Sequence, residues 1–200
     1  MLPSPFFDRR ANPEIYDFVH DQVDMQFADA REMMKCRGFN FAATMVLCNL
    51  ISGISVILYT PKNRRNPREK SKDRGPRFKE LLRQYYPWDY SENKEAKIQI
   101  LYDVIRNPLT HSLGVLEEGF IQTSINKDDP PLTQGQIEEL ERSPNRPQWL
   151  SLAVECDNRT NKINVEGLYW GVLNLVRKLA KDTEQMKAAE DHIRERLHKH

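Results

Sequence analysis

NFAATMVLCNLISGISVILYT, residues Asn40 to Thr60, runs for 21 residues without a charge, and the fold turns on whether it crosses a membrane or fills a core. About 20 apolar residues are enough to span a bilayer. This run is interrupted by Asn40, Thr44, Asn49, Ser52, Gly53 and Ser55, and basic residues flank it on both sides, so it carries no orientation signal. It reads as a helix from about Phe41 to Tyr59, apolar all round and fully buried in the centre of a helical protein, with no membrane partner.

The sequence on either side supplies helices to cover it. Asn12-Pro13-Glu14 has the order of an N-cap, a first-turn proline and a first-turn acid. Ile15, Phe18, Val19, Val23, Phe27, Ala30 and Met34 then recur at three- and four-residue steps until Gly38, as one face of a helix requires. Phe78, Leu81, Leu82, Tyr85 and Tyr86 trace a second stripe that begins near Pro76 and stops at Pro87. After a cap at Ser91 or Asn93, Ile98, Leu101 and Ile105 face inward on a third helix. The final helix starts near Val165. Val172, Val176, Leu179, Met186, Ile193 and Leu197 keep a seven-residue pattern, but Thr183 and Glu190 occupy its remaining seam positions. Such a seam is too polar for a coiled coil. The expectation is that Leu168 to Ala180 packs on the bundle and the charged remainder projects into solvent.

Between the last two helices the period changes. Leu116 to Ile125 is strand-like, and Leu150, Leu152, Val154 and Cys156 alternate onto one face of Trp149 to Cys156. A short helix opens at Thr133, where Thr133-x-x-Gln136 suits a capping box. Asp157 to Asn161 reads as a turn and Lys162 to Asn164 as a brief return. The fold class is therefore mainly α, a helical bundle with a small antiparallel β insertion. At 200 residues one domain is expected, 1–200, in which 115–164 is an inserted element and not an independent domain.

The net charge of +1 singles out no partner. Its distribution is uneven, because Lys62 to Lys79 holds nine basic residues against Glu69 and Asp73, a net +7 that leaves −6 for the rest. Arg64, Arg65, Arg68, Lys70, Lys72 and Arg74 could track a nucleic-acid backbone, with Tyr85, Tyr86 and Trp88 stacking on bases. The alternative is a solvated loop leading into a helix whose tyrosines are core. Cys36, Cys48 and Cys156 are odd in number and lack C-x-x-C spacing, so neither disulfides nor a zinc site is indicated. His20 lies beside Asp17, Asp21 and Asp24 without a second histidine, and reads as a solvated helix face. No phosphate loop, metal motif or other cofactor signature is present, and no cofactor is expected. The start of the chain, Met1 to Arg10, is not a secretory signal, so a cytoplasmic location is expected.

The third helix leads into Arg106-Asn107-Pro108-Leu109-Thr110-His111. Pro108 has no N–H and disfavours helical geometry at Asn107, so the helix must end or kink there. On a straight helix, residues five apart point about 140° away from each other. A break lets Arg106 and His111 converge. A permanent cation, an amide and an imidazole are enough for metal-free chemistry on a phosphodiester. The bland reading is a helix junction at which Arg106 and His111 satisfy local carbonyls and Asn107 is only a cap.

This element, with its Asn directly after the Arg, resembles the Arg-x4-6-His motif of the HEPN superfamily, and the helix order outside 116–164 is similar to the HEPN bundle. The resemblance implies a homodimer in which two motifs meet in a cleft, often as a metal-independent endoribonuclease. His111 would then be general acid or base, Arg106 the phosphate clamp, and Asn107 the residue that orients them. It also implies that RNA and a regulatory protein are possible partners. Leu113 stands where the HEPN toxins modified by nucleotidyltransferase antitoxins carry Tyr, two residues after the His, which disfavours that subtype. Non-catalytic dimerising or protein-interaction modules of the same fold are the alternative.

Overall fold

The computed structural model describes residues 6–61, 74–88, 93–106, 122–125, 130–156 and 160–197. The chain is mainly helical with a small β insertion, as its periodicity indicates. The first helix is continuous but wound in three registers: α1 (Pro13–Ile15), a π-helical turn π1 (Tyr16–His20), and α2 (Asp21–Met34). Then come α3 (Asn40–Ile57), α4 (Arg74–Tyr85), α5 (Lys94–Gln99) and, directly continuous with α5, a second π-helical segment π2 (Ile100–Arg106). The insertion contributes β1 (Gln122–Ile125), α6 (Gln134–Arg142), β2 (Val154–Cys156) and β3 (Thr160–Ile163). Helices α7 (Val165–Ala180) and α8 (Thr183–Leu197) complete the chain order.

Helix α3 is central, touching α2, α4, α7, α8, π2 and β1. Its inward side, including Leu47, Cys48, Leu50, Ile51 and Ile54, is buried. It is not buried all round, however. Phe41 is 41% exposed, Asn49 is exposed, and a Cβ added at Gly53 would meet open space. By length and composition α3 could cross a membrane, yet its apolar side is the core against which Phe27, Leu81, Leu101 and Leu173 pack.

The sheet order is β1-β3-β2. Strands β2 and β3 are antiparallel, with Val154 opposite Ile163, as the insertion was expected to be. Strand β1 instead runs parallel to β3, Gln122 opposite Thr160, which makes the sheet mixed. A parallel pair needs a long crossover, and α6 lies within it. The strand expected over Trp149 to Cys156 shortens to Val154–Cys156, and Asn164 holds the residues before it: its Nδ2 donates to the Leu152 carbonyl at 2.7 Å and its N–H to that of Ala153 at 3.0 Å. The capping box is present, with Gln136 N–H donating to Thr133 Oγ1 and Thr133 N–H to Gln136 Oε1.

The largest correction concerns the last helix. It breaks at Asp182, whose Oδ1 accepts the Gln185 N–H at 3.1 Å while Oδ2 takes the Tyr85 hydroxyl at 2.5 Å. Helix α8 then folds back with Met186, Ala189 and Ile193 buried, and does not project into solvent. Its polar seam residues hold it there. Glu190 accepts the N–H groups of Glu14 and Ile15, both at 3.2 Å, and so caps α1 from the far end of the sequence. Gln185 exchanges two hydrogen bonds with the Thr60 backbone.

Candidate functional site

Arg106 is the last residue of π2, a partly exposed side chain carried from the apolar helix that buries Leu101 and Ile105. A π-helical turn is wider than an α turn and is often found at functional positions. Ser52 and Tyr102 are among the groups that orient the guanidinium. Its Nε donates to Ser52 Oγ on α3 at 3.1 Å, and its Cζ lies 5.5 Å from the centre of the Tyr102 ring, within cation–π range. Ser52 in turn donates its hydroxyl to the Cys48 carbonyl at 2.8 Å, so its lone pairs face the arginine.

Tyr102 links this arginine to the basic segment. Lys79 Nζ lies 4.8 Å from the same ring, and Phe78 packs on it at 5.2 Å. Gly75 backs against it so closely that an added Cβ would sit 2.6 Å from the tyrosine hydroxyl. The start of α4, Arg74-Gly75, therefore abuts the residue that supports Arg106, and Arg74 itself is exposed.

The other cations of α4 are committed to structure. Arg77 Nη2 donates to the Tyr59 carbonyl at 2.8 Å, and Lys79 bonds Gln99 and Asp103. Arg64, Arg65, Arg68, Lys70 and Lys72 lie outside the described residues, as do Asn107 and His111. Of the residues expected from sequence, the structure thus describes Arg106 and Arg74, and relates them through Gly75 and Tyr102. Ser52, Tyr102 and Gly75 had no motif to mark them.

Tyr85 and Tyr86 are core, at 6% and 7% exposure, and do not offer stacking faces. The Tyr86 hydroxyl donates to the Gly167 carbonyl at 3.3 Å. Trp88 is half-buried against Tyr86, its indole N–H bonded to the Leu82 carbonyl. His20 is also not solvated. Its side chain is 12% exposed, stacks on Tyr16 at 4.3 Å and approaches Asp24 at 3.4 Å. Burial raises the Asp24 carboxyl above the ordinary range, with the His20 partner opposing. Among the described residues, no group of three or more His, Cys, Asp or Glu side chains could hold a metal ion.

Cys48, one turn before Ser52, has its thiol pushed up to about 12 by complete burial, although the Arg106 charge pulls it down. Cys36 and Cys156 are exposed. Native protein should therefore give two fast-reacting thiols with a thiol-specific disulfide reagent at pH 8, the third reacting only after denaturant is added. Three fast thiols would contradict the packing around Arg106. No family model, curated protein or solved structure matches this chain.

Proposed function

We propose that the chain is a HEPN-like protein directed at RNA, working in the cytoplasm as a homodimer and cutting RNA without a metal. The observation that carries this reading is the connection between Arg106 and the basic segment. Gly75 packs on Tyr102, and Tyr102 with Ser52 orients Arg106, so a backbone drawn to the exposed Arg74 arrives beside an oriented guanidinium. A guanidinium presents its donors as a rigid planar fork, a geometry that suits phosphate oxygens. In this reading His111 moves the proton at the 2′-hydroxyl or the leaving oxygen, and Asn107 orients the phosphate.

The test is cleavage of a mixed RNA substrate in excess chelator. We expect activity to persist with chelator and to fall about a hundredfold or more in Arg106→Ala and in His111→Ala, the range for loss of an electrostatic or acid–base group. Arg106→Lys keeps the charge but loses the Ser52 contact and the fork, and should recover little. Unchanged cleavage in both alanine variants would identify a contaminant and remove the reading.

A second reading, a non-catalytic dimerising or protein-interaction module, draws on the uncharged outer side of α3, where Phe41 and Asn49 are exposed and Gly53 has open space. A wild-type dimer that neither binds nor cuts RNA would favour it.

A further inference from the structure

From Pro13 to Met34 the first helix carries six carboxylates and a single Lys or Arg, Arg31. That arginine is turned inward: its side chain is 15% exposed and its Nη1 lies 3.6 Å from Glu141. The open side of the helix is therefore acidic. Phe18, Gln22, Met25 and Asp29 are exposed at steps of four, three and four, which makes them one stripe along that side, and Asp17 and Asp21 are exposed at its flank.

Two large apolar side chains stand open on this stripe. Phe18 is 47% exposed and Met25 59%, while Ile15, Val19, Val23 and Phe27 fill the core from the opposite side. The spacing places Phe18 among those inward residues, and π1 accounts for the difference. A π turn closes i→i+5 hydrogen bonds and holds more residues than the 3.6 of an α turn. The position one turn on from Ile15 thereby moves past Phe18 to Val19, and Phe18 is left outside. Such turns are rare and recur at functional positions. This one displays a phenylalanine.

Phe18 and Met25 are seven residues apart, about 10 Å along a helix. A partner helix whose apolar residues repeat at that interval meets both. The flanking charges select its sign. Among the described residues Asp21 and Asp29 have no ion-pair or hydrogen-bond partner. Asp17 meets Arg9 at 3.3 Å in an exposed pair that is readily exchanged. Lys or Arg beside the partner's apolar residues answers these carboxylates, whereas a second copy of the stripe sets carboxylate against carboxylate and a nucleic-acid backbone is repelled. We infer that the stripe is a docking face for a basic amphipathic helix of a partner protein, anchored on Phe18 and Met25 and steered by Asp21 and Asp29. The inference goes beyond the RNA-directed reading, whose chemistry is at Arg106.

The probe is a fluorescent helical peptide of Leu, Ala and Lys, with Leu every seventh residue and Lys beside each Leu, titrated with the full chain and followed by anisotropy. It should saturate at one peptide per chain, with affinity falling as salt rises. Phe18→Ser with Met25→Ser should weaken binding about tenfold or more, as loss of anchoring residues does. Asp21→Lys with Asp29→Lys should weaken it similarly and should create binding to the same peptide with Glu in place of Lys. All four side chains are exposed, so both double variants should keep the parent's unfolding midpoint. Binding that does not saturate, equal binding of a peptide of the same composition in scrambled order, or binding untouched by either double variant would each overturn the inference. So would self-association of the unmodified chain that the first double variant abolishes, because the face would then belong to a second copy. Arg106→Ala should leave peptide binding unchanged, so this inference and the RNA-directed reading fail separately.

Discussion

Gly167→Ala should lower the unfolding free energy by about 2–3 kcal/mol, measured as a fall in urea midpoint with little change in slope. A Cβ at Gly167 on α7 would lie 2.5 Å from the Ser151 carbonyl oxygen and 2.9 Å from the Ala153 nitrogen. These are backbone atoms that no rotamer change can clear. The segment they belong to is held by both Asn164 hydrogen bonds and by burial of Leu150 and Val154, so relief requires moving the insertion off the helix. The helix propensity gained by replacing Gly, about 1 kcal/mol, is too small to compensate. Gly53→Ala is the matched control, since its Cβ meets nothing within 4 Å and only the propensity gain remains. Equal stability of Gly167→Ala and the parent would show that residues 151–153 do not rest on α7.

Glu141→Ala should cost more, about 3–5 kcal/mol, the usual penalty for removing one partner of a buried charged pair. Glu141 on α6 is 5% exposed. Its Oε1 accepts the Tyr169 hydroxyl at 2.9 Å and lies 3.6 Å from Arg31 Nη1, while its backbone carbonyl accepts Arg177. Burial raises the Tyr169 hydroxyl well above the ordinary phenol range, and burial depresses Arg177, so neither group is hydrated enough to absorb the loss. Glu141→Gln keeps an acceptor for Tyr169 and gives up only the charge opposite Arg31, and should fall between the parent and the alanine variant. Thermal unfolding of the three proteins orders them: a glutamine variant as stable as the parent would refute a charge-dependent contact with Arg31, and an alanine variant as stable as the glutamine one would refute the contribution of the Tyr169 hydrogen bond.

What was legible in the sequence was whatever depends on neighbours in the chain. The stripe from Phe78 to Tyr86 gives α4 because side chains three and four apart share a helix face, and Thr133-x-x-Gln136 gives a cap because both partners lie within one turn. Periodicity reports which side is inward, but not how the backbone hydrogen bonds are counted. That is why neither π1 nor π2 could be seen in the spacing of Phe18 and Val19 or of Leu101 and Ile105. Pairings across the chain were equally hidden. Glu190 looked like a fault in a hydrophobic seam because its partners are the N–H groups of Glu14 and Ile15, and Ser52 looked like an interruption in an apolar helix because its partner is Arg106. The candidate site was legible as a motif, while its supports, Ser52, Tyr102 and Gly75, come from two helices and a turn that only tertiary packing brings together.

The cap that Glu190 places on α1 also sets a timetable for biosynthesis. The N–H groups of Glu14 and Ile15 are made early, and their acceptor is added 175 residues after Ile15. At bacterial or eukaryotic elongation rates that interval is roughly ten to thirty-five seconds. Through most of translation the first helix has no partner for its opening turn, and Thr60 waits for Gln185, 125 residues further on. A nascent chain on the ribosome therefore carries Arg106 long before the clasp that closes the bundle exists, and the complete fold becomes available only after α8 has emerged.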